Sequence, residues 1–405
     1  MKKRFFIPMK VVIVSMMTIA ATFVSCSDDG EEDTPVVVEP PIVLECNYFS
    51  QNPNAILKDN PLAPIDYVVT CKMAINDDVV IEPGVTIAFE TNAGFSVGEL
   101  GSLNASGTST KKITFTGTDK TAGSWAGIFF RSNDTKNAIR HSVIEYAGGD
   151  RFNSNGDLGN IIVYANSSVE ISNNEISKSA AYGINFRYNT GTILNFSDNI
   201  FKDNKSPALA HISKINQIKG TNVFEGNTSN KFEILVTGTI RENSTWHKLN
   251  IPYLVKSNTS IMHCDISADV IIEPGTVIEM GLGTGMKVNE TGSLKLEGTP
   301  TERIVIRGEQ AVAGYWERIY YTHTQSPNNI INYADIKHGG ANPPASKGAI
   351  YLWANPRLTI DNTHFSDILA CAVNGRVSGG TNFQRNLTIG ANVTYTNCGG
   401  QVCGD

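Results

Sequence analysis

Short stretches of alternating apolar and polar residues recur along most of the chain. They are rich in Val, Ile, Thr, Phe and Tyr, and Gly, Asn and Asp separate them. Alternation with a period of two predicts strands with one buried face, and Gly and Asn accept the left-handed backbone of tight turns. Long runs of Ala, Leu, Glu and Lys at helical spacing are missing. The pattern therefore predicts an almost entirely β protein.

The chain contains an internal duplication with an offset of 191 residues. The segment VVIEPG that ends at Gly84 returns as VIIEPG ending at Gly275, and GSW ending at Trp125 returns as GYW ending at Trp316. Further along, the offset drifts by a few residues. Such drift is expected when the strands are fixed and the surface loops between them vary in length.

A shorter unit recurs within each half. Residues 169–176 resemble residues 194–201, a shift of 25, and residues 358–365 belong to the same set. A unit of this length fits one coil of a solenoid, because a single coil cannot bury its inner face and stacked coils bury one another. The like positions of Asn173, Asp198 and Asn362 predict side chains that stack along one turn.

The IEPG, GTxxxxI and GxWxGI segments resemble those of Bacteroidota lipoproteins with the right-handed parallel β-helix of pectate-lyase-like proteins. The resemblance covers residues 65–400 and implies a fold rather than an activity, because one scaffold hosts many functions. We therefore expect an all-β, right-handed parallel β-helix built from two duplicated halves, 45–240 and 241–405. Residues 242–256 break the pattern, so the halves form either one continuous helix or two stacks joined near residues 238–262. We favour one rod with an irregular joint there.

The N-terminal residues 1–25 have the form of an export signal. A basic start precedes an apolar run, 11–24, that is too short to span a bilayer. The three residues before Cys26 resemble a relaxed lipobox, which implies cleavage and acylation at Cys26. The acidic stretch that follows resembles a surface-export signal, and 26–44 reads as a tether. The expected location is the outer membrane, lipid-anchored and exposed on the cell surface.

The net charge of the chain indicates which classes of partner it can bind. The formal net charge is −6, and loss of the four bases in the export signal would leave −10. Nucleic acid is not expected, because phosphate binding needs clustered Lys and Arg. The expected partners are the outer membrane through the lipid anchor, and either further copies of the chain or glycans. No cofactor is expected.

Six cysteines remain besides Cys26. An even number in an exported chain permits disulfides, although six cysteines allow 15 pairings. We predict pairs of Cys46 with Cys71 and of Cys398 with Cys403. Zinc is the rival interpretation, but no CxxC pair is present and no metal site is expected.

Candidates for catalysis are confined to the first half. Polysaccharide lyases and hydrolases need grouped carboxylates with a basic partner. The first-half candidates are Arg131, His141, Glu145, Asp150 and Asp157. The duplication argues against them, because Tyr333 and Lys337 stand in the second half at the places of His141 and Glu145. We expect no enzyme, with a lyase or hydrolase as the residual alternative.

Aromatic residues supply the other functional candidates. Phe129 and Phe130 correspond to Tyr320 and Tyr321, and Tyr164 corresponds to Trp353. Tyr and Trp can stack on sugar rings while their polar edges form hydrogen bonds. The candidate glycan contacts are Tyr320, Tyr321, Tyr351 and Trp353. For the repeated Trp125 and Trp316, packing is the favoured interpretation.

Two functions therefore compete. The leading hypothesis is a non-enzymatic surface lipoprotein with a structural, surface-layer-like or adhesin-like role. The alternative is a glycan-binding lipoprotein of a polysaccharide uptake system.

Overall fold

The computed structural model describes residues 38–257, 263–341, 348–376 and 382–404. The export signal, Cys26 and most of the tether lie outside the described residues. The predicted all-β parallel β-helix is confirmed: parallel strands stack in a solenoid of about 13 turns with almost no helix. The helical segments are the α-helix Tyr48–Gln51 and the 3-10 helices Ile212–Gln217 and Phe383–Asn386.

One sheet, here called the long ladder, runs from the first coils to the last. Its strands pair in parallel through both halves, and its last two strands are long enough to continue into a neighbouring sheet. The strands of the long ladder are Lys72–Ile75, Gly94–Val97, Gly127–Phe130, Ile161–Val163, Tyr182–Phe186, Ser206–His211, Phe232–Leu235, Tyr253–Lys256, Val277–Met280, Ile304–Gly308, Ala334–Lys337, His364–Gly375 and Thr394–Val402.

Two further sheets complete the coils of the first half. One contains Ile42–Leu44, Tyr67–Val69, Thr86–Phe89, Ile113–Gly117, Ser142–Glu145, Glu175–Ser177, Ile200–Lys202 and Val223–Glu225. The other contains Ile56–Leu57, Asp78–Ile81, Ser102–Ser106, Ala138–Arg140, Ser168–Ser172 and Thr192–Ser197. Because Ile42–Leu44 already pairs with Tyr67–Val69, the solenoid begins before residue 45 and the predicted tether is shorter than 26–44.

The second half has two sheets of its own beside the long ladder. One contains Thr239–Ile240, His263–Ile266, Gly285–Val288, Ile319–Thr322 and Gly348–Trp353, and it merges with the long ladder through the last two strands. The other contains Ser244–Trp246, Asp269–Ile272, Ser293–Glu297, Ile330–Asn332, Leu358–Asp361 and Leu387–Ile389.

The duplicated halves are joined out of phase. Gly94–Val97 belongs to the long ladder, whereas its counterpart 191 residues later, Gly285–Val288, belongs to the neighbouring sheet. At the joint the 3-10 helix Ile212–Gln217 occupies the place of a strand and contacts both Thr192–Ser197 and Ser244–Trp246. Equivalent strands of the two halves therefore lie on different sheets of one continuous stack.

The inner faces of all sheets form one apolar core. Alternate residues point inward and stack on the corresponding residues of the next coil, so the core is a column rather than a sphere. The largest fully buried side chains are Trp125, Trp246, Trp316, Tyr253, Tyr321, Phe89, Phe95, Phe115, Phe130, Phe186, Phe196 and Phe201.

The repeated IEPG segments are explained by the turn that they form. Gly84 and Gly275 each follow the proline with positive φ, +104° and +77°, a backbone conformation that disfavours a Cβ. A Cβ on Gly84 would also lie 2.6 Å from a carboxylate oxygen of Asp59. The repeated motif thus marks the same sharp corner in both halves.

The predicted stacking of Asn173, Asp198 and Asn362 is wrong by one residue. All three have positive φ, between 46° and 59°, and they turn the chain. The stacked amides belong to the following position, where Asn174, Asn199 and Asn222 are buried and hydrogen-bonded to one another along three successive coils.

Two disulfides tie the ends of the described solenoid. Cys46 is bonded to Cys71, as the sequence predicts. Cys403 is bonded to Cys371 rather than to Cys398. The parallel pairing of the last two strands puts Cys371 opposite Gly400, and the Cys403 N–H donates to the carbonyl of Val373, so the Cα atoms of Cys371 and Cys403 lie 6.1 Å apart. Cys398 and Cys264 are free thiols, and burial raises the pKa of both.

The joint contains a buried histidine, His211, whose lowered pKa should make the protein less stable at acidic pH. Burial lowers the pKa of His211 from 6.5 to about 4, and its Nδ1 accepts a hydrogen bond from the backbone N–H of Ser213. Between these pH values the unfolded chain binds a proton that the folded chain excludes. The free energy of unfolding should therefore fall by on the order of 3 kcal/mol as the pH drops from 6.5 to 4.

Urea unfolding of the wild type and His211→Gln across this pH range checks the prediction. The variant should lose most of this pH dependence. Equal slopes for the two proteins would contradict it.

Candidate functional site

A column of outward-facing residues on the long ladder forms the floor of a lateral groove. Phe129, Ile162, Asn185, Leu209 and Glu233 are in register on five successive strands. At about 4.8 Å per coil the column spans roughly 20 Å. Each of these residues is at most 6% exposed although it points away from the core, because neighbouring loops and side chains cover it.

The first part of the groove has an aromatic wall. The Phe129 ring stacks on Phe152 with centroids 5.2 Å apart and meets Tyr164 edge-on at 5.5 Å. Tyr188 continues the wall, with its centroid 4.6 Å from that of Tyr164. Phe152 comes from the long connection between two strands rather than from the ladder itself.

The aromatic wall borders a concave volume of about 630 Å³, here called the aromatic recess. Its rim is polar, and Nη2 of Arg131 lies 3.4 Å from Oε1 of Glu99. The recess is lined by Glu99, Leu100, Phe129, Arg131, Asn133, Phe152, Asn153, Tyr164, Ala165 and Asn166. Apolar walls with a few polar groups at the edge are typical of small-molecule sites.

Asp157 anchors the loop that carries Phe152. Its carboxylate is 1% exposed, lies 2.7 Å from Nε of Arg187, and accepts hydrogen bonds from Tyr188 Oη at 2.7 Å and Asn153 Nδ2 at 2.8 Å. Burial raises the pKa of the Tyr188 hydroxyl. A buried charge held by this many partners fixes the loop, and with it the aromatic wall.

A second recess of about 460 Å³ lies further along the same face. Tyr182 Oη donates a hydrogen bond to Glu233 at 2.8 Å, and Lys256 forms an ion pair with the same carboxylate. Burial and the neighbouring Glu233 raise the pKa of Tyr182. Arg187 lines this second recess, and its guanidinium also forms the ion pair with Asp157. This ion pair therefore holds the loop of the aromatic recess and fixes a side chain at the second recess.

The predicted glycan contacts of the second half are only partly accessible. Tyr320 is in register with Tyr351, and their ring centroids are 5.4 Å apart, but Tyr351 is only 4% exposed. The guanidinium of Arg376 lies 4.3 Å from the centroid of Trp353. The prediction of Tyr321 as a glycan contact is wrong. Tyr321 follows Tyr320 on the strand, so its side chain faces inward and is fully buried in the core.

The residues considered for catalysis have structural partners. Lys72 Nζ lies 2.5 Å from Asp150, and Lys178 Nζ lies 2.9 Å from Glu145. Asp157 is the buried loop anchor described above, and His141 turns the chain with φ of +45°. Arg131 alone of the five lines the aromatic recess.

Among the residues that the structure describes, no group of three or more His, Cys, Asp or Glu side chains could hold a metal ion. In the same ranges no helix is long and apolar enough to cross a membrane.

The sequence placed the candidate glycan contacts in the second half rather than at this site. It named Phe129 and Tyr164 only as the first-half counterparts of Tyr320 and Trp353. Phe152 and Tyr188 were missed, since neither follows the alternation of the strands, and the buried role of Asp157 gave no sequence signal.

Few known proteins are similar to this chain. No family model matches the chain, and no solved structure matches it. One curated protein, Protein bark beetle of Drosophila melanogaster, is 32% identical over 88 residues. That match covers 22% of this chain and 3% of the Drosophila protein, so the chain spans only a small part of that relative.

Proposed function

We propose that this chain is a non-enzymatic, adhesin-like surface protein that binds a glycan in the aromatic recess. The observation that carries the proposal is the wall formed by the partly exposed rings of Phe152 and Tyr164, packed against the buried Phe129, beside the polar rim of Arg131 and Glu99. Aromatic faces pack against the C–H surfaces of sugar rings, and a charged or amide rim binds their hydroxyl groups.

The rigidity of the site supports this function. The column under the recess belongs to a continuous sheet, and Asp157 fixes the covering loop through three partners. A preformed site avoids the entropy cost of ordering a loop when ligand binds. Acylation at Cys26, with display on the outer membrane of a Bacteroidota cell, is the anchoring that we propose for it.

Affinity electrophoresis against a panel of neutral and acidic polysaccharides tests the proposal. We expect at least one glycan to retard the protein, and Tyr164→Ala to weaken that binding at least tenfold through loss of the stacking surface. Tyr315→Ala removes a half-buried tyrosine outside the recess and should leave binding unchanged.

A third variant separates the two aromatic surfaces. Trp353→Ala should bind like the wild type if the aromatic recess is the site. Loss of binding in Trp353→Ala with retention in Tyr164→Ala would move the site to the second half. Retardation by no glycan would remove the proposal.

A structural, surface-layer-like role is the second candidate. Thr394–Val402 is a long, mostly exposed strand, and among the described residues it pairs on one side only, with His364–Gly375. A free strand edge can pair with another copy of the chain. Concentration-dependent assembly in sedimentation experiments is the expected result for this role, and a strict monomer would contradict it.

A further inference from the structure

A third concave volume, here called the joint pocket, lies where the two halves meet. It measures about 430 Å³ and forms where the 3-10 helix Ile212–Gln217 takes the place of a strand. It is lined by Asn189, His211, Ser213, Lys214, Asn216, Gln217, Gly238, Thr239, Ile240, Arg241, Glu242 and Ser244. None of these residues lines the aromatic recess.

The pocket contains more positive than negative charge. Lys214 and Arg241 face a single lining carboxylate, Glu242, and neither cation forms an ion pair within the described ranges of the chain. Lys214 is half-buried, and burial lowers its pKa. A partly desolvated ammonium that forms no ion pair favours an anion beside it.

Two polar atoms at the pocket are buried without a partner. Ser244 is 8% exposed, and its Oγ forms no hydrogen bond in the described structure. The side-chain oxygen of Asn216 is likewise buried and unpartnered. An unsatisfied buried polar group costs roughly 1–3 kcal/mol, so native proteins rarely keep one without a reason. Ser244 can donate to an oxyanion, and Asn216 can accept from a hydroxyl group.

We propose that the joint pocket binds an oxyanion carried on a hydroxylated skeleton, such as a sugar carboxylate, sulfate or phosphate. The acid group lies between Lys214 and Arg241 and accepts from Ser244 Oγ, and a ligand hydroxyl donates to Asn216. This site is separate from the aromatic recess, so the chain has one site for a sugar face and another for an acid group.

Isothermal titration calorimetry of the full chain with glucuronate, glucose 6-sulfate, glucose 6-phosphate and neutral glucose tests the proposal. At least one of the three acids should bind saturably, more weakly as salt rises, and glucose should not. Binding should fall at least tenfold in both Lys214→Gln and Ser244→Ala. The control Lys112→Gln removes an exposed lysine elsewhere and should change nothing.

Several outcomes would overturn this site. They are no binding of any acid, equal binding by Ser244→Ala and the wild type, or equal affinity for inorganic sulfate and for the sugar acids. Should Lys214→Gln fail to fold, Arg241→Gln at an exposed position gives the same information. Tyr164→Ala should leave this binding intact, so failure of one site does not imply failure of the other.

Discussion

Replacing Asn199 by alanine is expected to lower the free energy of unfolding by about 3–5 kcal/mol. The Asn199 amide is fully buried and forms four hydrogen bonds. Its Oδ1 accepts from the backbone and the side chain of Asn174, and its Nδ2 donates to the carbonyl of Ile171 and to Asn222. Alanine removes the acceptor of the buried Asn174 N–H and one of the donors to the Ile171 carbonyl.

Urea unfolding measures this effect, and Asn195→Ala is the matched control. Asn195 lies on the same coil but is exposed, so its loss should change stability by less than about 0.5 kcal/mol. Stability in a solenoid is a sum over coils and their interfaces, so the transition of Asn199→Ala should also broaden. A loss below 1 kcal/mol would show that the amide ladder contributes little.

Replacing Trp125 by alanine is expected to cost about 3–5 kcal/mol. The indole is fully buried, stacks on Phe89 with centroids 4.1 Å apart, and donates from Nε1 to the carbonyl of Glu145 at 2.8 Å. Its duplicate Trp316 donates in the same way to the carbonyl of Lys337 at 2.7 Å. Alanine would open a cavity and remove a partner from a strand-ending carbonyl.

Thermal and urea unfolding of Trp125→Ala, Trp316→Ala and Trp353→Ala test the packing role. The first two should be similarly destabilised, because the duplication placed both tryptophans at the same point of the coil. Trp353 is partly exposed, so Trp353→Ala should lower the free energy of unfolding much less. A mild effect at Trp125 with a severe one at Trp353 would reverse this assignment.

The fold was predictable because its signal is local and repeated. Alternation, the Pro83-Gly84 corner and its copy at Gly275 are all short-range patterns, and the coil repeat multiplies them. For the joint between the halves, the sequence predicted its position but not how its strands are connected. The out-of-phase connection depends on which strands pair across coils, and nothing in the local pattern of residues 238–262 specifies that choice.

The site was less predictable than the fold, because it too depends on strand pairing and loop positions that the local sequence pattern does not specify. The duplication related Phe129 and Tyr164 to Tyr320 and Trp353 but did not show which half forms the recess. The inward orientation of Tyr321 required the register of its strand, since a shift of one residue reverses the face. Cys371 was not predicted as the partner of Cys403, because only the pairing of the last two strands brings them together. Phe152 depends on a loop that the buried Asp157 holds in place.

A crystal structure of the protein soaked with the glycan panel at high concentration tests the central claim most directly. The account predicts sugar density against Phe152 and Tyr164, with hydroxyl groups within hydrogen-bonding distance of Arg131 or Glu99. An empty aromatic recess, or sugar bound beside Trp353 instead, would contradict it.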